Sequence, residues 1–205
     1  MHRYCHVGTD NYNSKTARLY EDLGLLSADP QLGSDLTQLF NFLTGYGRNV
    51  QYHRLLVAPT ALRSGIGDLI RNEMAAPGGG RIVFKLNSLA DADMIDLLYE
   101  ASQAGVQIDL IVRGICCLVP GVPGLSENIR VRSIVGRYLE HSRIYRFANG
   151  AGPSRPRHYM GSADLMPRNL DRRVEALVPV LDPSLQARLE EVLHLALTDD
   201  RLAWT

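Results

Sequence analysis

The sequence predicts an α/β fold in which a mixed, mostly parallel sheet is covered by helices. From residue 54 onward, short apolar segments typical of buried strands alternate with longer segments whose apolar residues recur at helical spacing. Such alternation is typical of strands that are joined by covering helices. The composition, 45% hydrophobic and 21% charged residues, is that of an ordinary globular protein.

The first part of this region predicts a βαβαβ unit. Its elements are a strand at 55–59, a helix at 61–75, a strand at 81–86, a helix at 91–104 and a strand at 106–112. The first helix ends at a Pro-Gly-Gly-Gly segment and the second at Gly105, because proline and glycine interrupt helices.

Further elements are predicted on both sides of this unit. They are strands at 129–135, 143–147, 159–162 and 174–180, a closing helix that begins at Pro183, and an early helix at 36–43 that ends near Gly45. We place a domain boundary near Arg54, so that residues 1–53 are the end of one domain and residues 54–205 form a second.

The charge distribution points to anionic ligands of a particular kind. The formal net charge is zero, which gives no general case for nucleic acid or an anionic membrane surface as partner. Between Arg130 and Arg173, however, ten arginines face three acidic residues. Arginine's planar fork suits phosphate oxygens, so the clustering favours a phosphate ligand.

Several classes of protein are disfavoured by the sequence. No apolar run approaches the roughly 20 residues that a membrane-spanning helix needs. The first residues lack the apolar core of a secretory signal, and the three cysteines, Cys5, Cys116 and Cys117, have no metal-ligand spacing. We therefore expect a cytoplasmic protein, with peripheral membrane association left open.

Two segments of the chain resemble each other. Residues 8–11 (Gly-Thr-Asp-Asn) and 161–164 (Gly-Ser-Ala-Asp) are each followed, at a similar interval, by a basic and then an acidic residue. His141-Ser142-Arg143 stands 20 residues before the second segment, whereas the matching place for the first segment falls before Met1. A repeat this short can arise by chance. If it is a true repeat, the chain contains one half of a paired histidine site.

The pattern His-x-Arg followed by Gly-Ser-x-Asp resembles the phospholipase D superfamily, and longer segments resemble the polyphosphate kinases of that type. The segments are 6–13, 16–20, 42–46, 56–59, 87–89, 99–106, 110–117, 121–129, 138–144 and 161–175, which together extend over nearly the whole chain. The resemblance implies two phospholipase D-like domains, of which residues 1–53 are the end of the first and residues 54–205 the second.

The resemblance also implies an activity. Such enzymes transfer the γ-phosphate of ATP to polyphosphate, reversibly, with Mg²⁺ and through a phosphohistidine; an imidazole can form such a covalent intermediate. The phosphorylated histidine, and we expect the Mg²⁺ ligands too, lie outside this chain. The chain alone is therefore expected to be inactive, with ATP, ADP and polyphosphate as ligands, no nucleic-acid partner and a tendency to self-associate.

The resemblance assigns roles to particular residues. His141 matches the second active-site histidine, which contacts the phosphates of ATP and can act as an acid–base partner, and Arg113 matches a phosphate-contacting arginine at a strand end. Tyr20 matches a nucleotide contact that can stack on adenine, although a core aromatic remains an alternative. Arg143 and Arg173 are expected to bind phosphate.

A second group is expected to support the site. Its members are His6, Asn11, Asp22 and Asn169. For Asp22 and Glu175 we expect the orientation of arginines, and Asp10 departs from the glycine that the family usually has.

Two other functions stay open at this point. One is a non-catalytic module that binds polyphosphate or nucleotide, which predicts saturable, salt-sensitive binding without turnover. The other is a phosphodiesterase of the phospholipase D superfamily, which needs a complete pair of half-sites.

Overall fold

The computed structural model describes residues 3–9, 12–15, 17–46 and 51–204. The helices are α1 (Pro30–Leu43), α2 (Leu62–Met74), α3 (Ala92–Gln103), α4 (Pro167–Asp171) and α5 (Pro183–Thr198). The strands are β1 (Cys5–Gly8), β2 (Tyr20–Glu21), β3 (Gly24–Ser27), β4 (Leu56–Val57), β5 (Arg81–Leu86), β6 (Gln107–Val112), β7 (Ile129–Ile134), β8 (Leu139–Glu140), β9 (Ile144–Phe147), β10 (Arg157–Gly161), β11 (Ala176–Val180) and β12 (Ala203–Trp204).

Helix starts follow the local sequence. Asp29 accepts a hydrogen bond from the Leu32 N–H at 2.8 Å, with proline at the first position of α1. Asp91 caps α3 in the same way, and Asp182 caps α5, which again begins with proline. These caps satisfy N–H groups that have no partner within the helix.

One mixed sheet of eight strands organises the chain, in the order β12-β7-β6-β5-β9-β10-β11-β4. The prediction of a mixed α/β sheet is confirmed, but the expectation that it is mostly parallel is wrong. Only the pairs β5–β6 and β6–β7 are parallel among the described strands of this sheet. Nine residues join β9 to β10, too few for the crossover that a parallel pair needs, whereas the 14 residues between β10 and β11 contain α4 and still lead to an antiparallel pair.

The three strands of the predicted βαβαβ unit are not all neighbours in the sheet. β4 lies at the far edge, paired antiparallel with β11, so three strands separate it from β5. Its direction is nevertheless that of β5, which follows from the antiparallel steps between them. A carbon added at Gly161 of β10 would lie 2.0 Å from the Ala176 carbonyl oxygen, which explains the glycine at that position.

Apolar layers cover both faces of the sheet. Side chains of β5 alternate between them, with Ile82 and Phe84 packed on the side of α2 and α3, and Val83 on the side of α1 and α5. The segment before β4 thus belongs to the second layer, and it contributes a small antiparallel sheet of β1 and β3. The division at residue 54 stays a prediction.

No helix of the described residues has both the length and the apolar character that crossing a membrane requires.

Candidate functional site

The predicted site residues converge on one edge of the eight-stranded sheet. Arg113 directly follows β6, and His141 and Arg143 precede β9, which begins where the antiparallel β5 ends. Ser162 follows β10 and Glu175 precedes β11 at the same edge. In open α/β sheets ligands bind beyond the carboxyl ends of the strands, so this edge is the candidate site.

His141 is held by a carboxylate from the other end of the chain. Its Nδ1 lies 2.9 Å from Oδ1 of Asp22, and that oxygen also accepts from the Thr9 hydroxyl at 2.7 Å. A carboxylate only accepts hydrogen bonds, so Nδ1 carries a proton, and in the neutral imidazole Nε2 holds the lone pair. The Tyr20 ring packs on the imidazole with 4.6 Å between centroids. The imidazole is thereby held in one orientation, with Nε2 pointing away from Asp22.

Arg143 brings a positive charge to this imidazole. Its Nη1 lies 3.1 Å from Nε2 and 3.2 Å from Nδ1 of His141. The guanidinium is largely buried and paired with Asp164, with 3.1 Å between Nη2 and Oδ2, and Nη1 donates to the Thr9 carbonyl at 3.2 Å. A phosphate oxygen that approached Nε2 would meet this charge.

Arg113 is joined to His141 through one asparagine. The Arg113 Nε donates to Oδ1 of Asn87 at 2.8 Å, and Nδ2 of Asn87 donates to the His141 carbonyl at 3.1 Å. The asparagine follows β5 and belongs to a segment that carried the family resemblance, but no role was predicted for it.

A cleft opens beside Arg113. It encloses about 310 Å³ and is lined by Leu19, Arg113, Ile134, Val135, Gly136, Arg137, Tyr138 and Leu139. The mixture of apolar side chains with two arginines suits a flat ring attached to phosphates.

A buried lysine of β5 contacts the residues on both sides of His141. Lys85 Nζ lies 3.0 Å from Oε2 of Glu140 and 2.8 Å from the Ser142 hydroxyl. Burial lowers the pKa of Lys85, against the pull of Glu140. Burial, and then repulsion from Glu140, raises the pKa of Glu21. Sequence reasoning missed this cluster, although a lysine inside an apolar strand is a visible signal.

The internal repeat seen in the sequence is also a structural repeat. Thr9 binds Asp22 and Ser162 binds Glu175, each pair 13 residues apart and each through the hydroxyl. The flanking bonds match as well: Thr9 N–H to Leu23 carbonyl at 2.9 Å and Ser162 N–H to Ala176 carbonyl at 3.2 Å, Leu23 N–H to Thr9 hydroxyl at 2.9 Å and Ala176 N–H to Ser162 hydroxyl at 3.3 Å. Each half therefore presents one carboxylate in the same setting.

Asp22 and Glu175 were both expected to orient arginines. Asp22 makes a contact that was not predicted, with the His141 imidazole. The expectation for Glu175 is corrected. Glu175 accepts from the Ser162 hydroxyl and from Nδ2 of Asn169 at 2.6 Å. The reason is the repeat, because the hydroxyl of each Gly-[Ser/Thr] turn fixes the acid that follows it. Asn169 thus supports Glu175 directly.

The remaining predicted residues lie less centrally. Arg173 is exposed on the segment before Glu175. His6 is exposed, and its Nδ1 lies 2.8 Å from the Tyr12 hydroxyl. Asn11 and Asp10 fall outside the described residues.

The structure, over its described ranges, contains no group of three or more His, Cys, Asp or Glu side chains able to hold a metal ion. Asp164 and Glu175 are each engaged in hydrogen bonds within the site. These residues do not fit a Mg²⁺ site on their own.

Comparison with known proteins identifies relatives of the whole chain. Two family models match, Polyphosphate kinase C-terminal domain 1 over residues 1–49 and C-terminal domain 2 over residues 55–205. A polyphosphate kinase from Prochlorococcus marinus is 58% identical over the full chain, and one from Mycobacterium avium is 57% identical. The chain spans 29% and 28% of the lengths of these relatives.

Solved structures agree with this relationship. A polyphosphate kinase from Porphyromonas gingivalis superposes with a TM-score of 0.92 at 42% identity, covering 98% of this chain and 31% of that protein. NucT from Helicobacter pylori, at 14% identity, covers 70% of this chain and 93% of its own, with a TM-score of 0.53. A phospholipase D family member, Nuc from Salmonella typhimurium, gives 0.52 at 16% identity, covering 73% and 95%. The last two likenesses show the fold alone, a phospholipase D-like one.

Proposed function

Because the chain belongs to the polyphosphate kinase family, we propose that it provides one half of a site that transfers the γ-phosphate of ATP to polyphosphate, reversibly and through a phosphohistidine outside this chain. The observation that carries the proposal is the His141 imidazole, held by Asp22 and faced by Arg143 at the ligand-binding edge of the sheet. We further propose a cytoplasmic protein that self-associates and acts on ATP, ADP and polyphosphate, without a nucleic-acid partner.

His141 acts in this proposal as a general acid and base. With the proton of Nδ1 on the Asp22 side, Nε2 carries the lone pair, which can accept a proton from an attacking phosphate oxygen or, once protonated, donate it to the leaving oxygen. Asp22 also stabilises the imidazolium that forms when Nε2 is protonated. Positioned groups of this kind contribute typically about 10²–10⁴-fold to a rate.

The arginines stabilise charge on the transferred group. Arg143 lies against the imidazole, and Arg113 projects from the neighbouring strand end. Phosphoryl transfer depends chiefly on positioning and on such charge stabilisation. Arg173, exposed beside Glu175, contributes to binding of the polyphosphate chain.

The structural repeat supports the existence of a second histidine. Asp22 of the first half reaches across to His141 of the second half. If the halves are related by a pseudo-twofold axis, Glu175 of the second half reaches toward the histidine of the first. Glu175 is buried and already fixed by Ser162 and Asn169, as Asp22 is fixed by Thr9. We therefore assign Glu175 as the carboxylate partner of the phosphorylated histidine.

The nucleoside of ATP enters the cleft beside Arg113. One face of Tyr20 is occupied by His141, so stacking on adenine is left to its other face or to Tyr138 at the cleft. The cleft volume of about 310 Å³ and its apolar lining suit a purine ring.

Mg²⁺ would neutralise phosphate charge in the reaction. We propose that its protein ligands lie outside this chain.

A direct binding experiment tests this function. Titration of the purified chain with ATP and, separately, tripolyphosphate should give saturable binding that weakens with salt. His141→Ala and Arg143→Ala should each weaken it about tenfold, whereas Arg188→Ala on exposed α5 should not. Equal affinity in all variants would contradict the proposed site. Hydrolysis of a generic phosphodiester by the chain would instead favour a phosphodiesterase.

A further inference from the structure

Asn87 stands where three strand ends of the site meet. It follows β5, and it is 4% exposed. Its Oδ1 accepts from Nε of Arg113 at 2.8 Å, and its Nδ2 donates to the His141 carbonyl at 3.1 Å. Its backbone N–H donates to Asp164 at 2.7 Å, and Asp164 also holds Arg143. Asn87 thus contacts Arg113 and the His141 backbone directly, and it contacts Asp164, which in turn binds Arg143.

The two side-chain hydrogen bonds of Asn87 require a carboxamide. One planar group has to accept a hydrogen bond from an arginine and donate one to a carbonyl. Aspartate can only accept, leucine can do neither, and a hydroxyl is too short to span both. Both partners are partly buried, so a lost bond is not fully replaced by water.

The bond to Nε leaves the ligand-facing part of Arg113 available. The described residues offer its two terminal nitrogens no hydrogen-bond partner, while Nε is fixed. A free arginine side chain loses much rotational freedom when it binds a ligand. Fixing Nε beforehand removes part of that loss and sets the distance between Arg113 and the His141 segment.

We propose that Asn87 is a positioning residue, which holds Arg113 and His141 at the spacing required to grip adjacent phosphates of one ligand. This inference rests on the proposed function of the site. Asn87 itself touches no reacting atom in this account and acts through the two residues that it holds.

The variants for the test are Asn87→Leu, Asn87→Asp and the control Asn149→Leu. Leucine removes both side-chain bonds, whereas aspartate keeps the acceptor for Arg113 and loses the donor to His141. Asn149 is a matched control because it is 7% exposed, is bonded through its side chain to Glu73 and Ser154, and follows β9 at the opposite edge. Urea unfolding measures how far each variant loses stability.

Two readouts distinguish positioning from a merely structural role. Hydrogen exchange of the Arg113 Nε–H, followed by NMR, should accelerate about tenfold in Asn87→Leu and remain slow in Asn87→Asp and Asn149→Leu. The dissociation constant for tripolyphosphate should rise about tenfold in Asn87→Leu and stay within twofold in Asn149→Leu.

The outcomes separate this inference from the function on which it rests. Unchanged Arg113 exchange in Asn87→Leu, or faster exchange with unchanged affinity, would overturn the positioning role. If Asn87→Leu does not fold, faster exchange in Asn87→Asp overturns it equally. If even the parent chain binds no tripolyphosphate, the proposed function fails, and the link between Asn87 and Arg113 is decided by the exchange data alone.

Discussion

Asp22 and His141 are separated by 119 residues, yet Oδ1 of one lies 2.9 Å from Nδ1 of the other. They belong to different halves of the internal repeat, so a carboxylate of one half holds the histidine of the other. The site is therefore a shared property of both halves, and a change in either half alters it.

Asp22→Asn tests this relationship. An amide can donate to Nδ1 and favour the wrong tautomer, with the proton on Nε2. We expect the nitrogen chemical shifts of the His141 ring to show that the proton has moved from Nδ1 to Nε2. The control Asp68→Asn, on an exposed pair with Arg71, should leave those shifts in place. An unaltered tautomer in Asp22→Asn would rule out the assigned role.

Lys85→Met tests the buried cluster below His141. Losing the ammonium leaves the Glu140 carboxylate without its partner, so we expect a loss of about 2 kcal/mol in the free energy of unfolding. The double variant Lys85→Met/Glu140→Gln should recover part of that loss. Additive effects in a urea-denaturation cycle would show that the two charges do not interact.

Asp35→Ala tests how the segment before β4 is attached to the sheet. The fully buried Asp35 side chain accepts from the backbone N–H groups of His53, Arg54 and Leu55 at 3.0, 2.6 and 3.0 Å. Burial favours a raised pKa of Asp35, but these donors outweigh it and lower the pKa.

Removing the carboxylate leaves three partly buried donors unsatisfied. We expect Asp35→Ala to cost about 3 kcal/mol of stability in urea denaturation. Gln31→Ala on the exposed side of the same helix is the control. A cost similar to that of the control would mean that these bonds do not anchor α1.

Stability in acid should depend on Glu190. Hydrogen bonds from His158 and Arg146 lower the pKa of Glu190 to about 2, against the effect of partial burial. A lowered pKa of an acid gives stability that is present above its unfolded value, 4.5, and is lost as the pH falls toward 2.

Glu190→Gln should therefore remove about 1 kcal/mol at pH 6, a figure reduced for solvent screening because the side chain is 43% exposed. It should cost progressively less between pH 4.5 and pH 2. Thermal unfolding across this range, with Glu191→Gln as control, measures the difference. A cost that does not change with pH would contradict the assignment.

Tyr138→Ala separates the nucleotide from the polyphosphate. If the adenine base enters the cleft beside Arg113, this variant should weaken the binding of ATP about fivefold and leave the binding of tripolyphosphate unchanged. Equal weakening of both ligands, measured by calorimetry, would place the base elsewhere.

The longer elements from β4 onward were predictable because they alternate between strand and helix periods, whereas the short elements β8, α4 and β12 were missed. The arrangement of the strands was less predictable. The pairing of β4 with β11 could not be predicted, because a strand of two residues has almost no sequence pattern that favours one partner strand. The strands β1 and β3 were missed for a similar reason, because four residues each give too little alternation.

Sequence reasoning named His141, Arg143 and Arg113 from their motifs, and the structure places all three at one edge of the sheet. What was missed are contacts between distant segments. The partner of Asp22 depends on how two halves of a repeat face each other, and the role of Asn87 on three strand ends that only the folded sheet brings together.

The most direct test of the half-site account is retention of label after the purified 205-residue chain meets γ-labelled ATP, Mg²⁺ and polyphosphate. We predict no acid-labile phosphate on the chain alone. Labelling and ADP formation should appear once the part of the Prochlorococcus marinus relative that this chain does not span is fused to it, and His141→Ala should then abolish turnover. Robust labelling of the chain alone would contradict the account, because a histidine of this chain would then be the nucleophile.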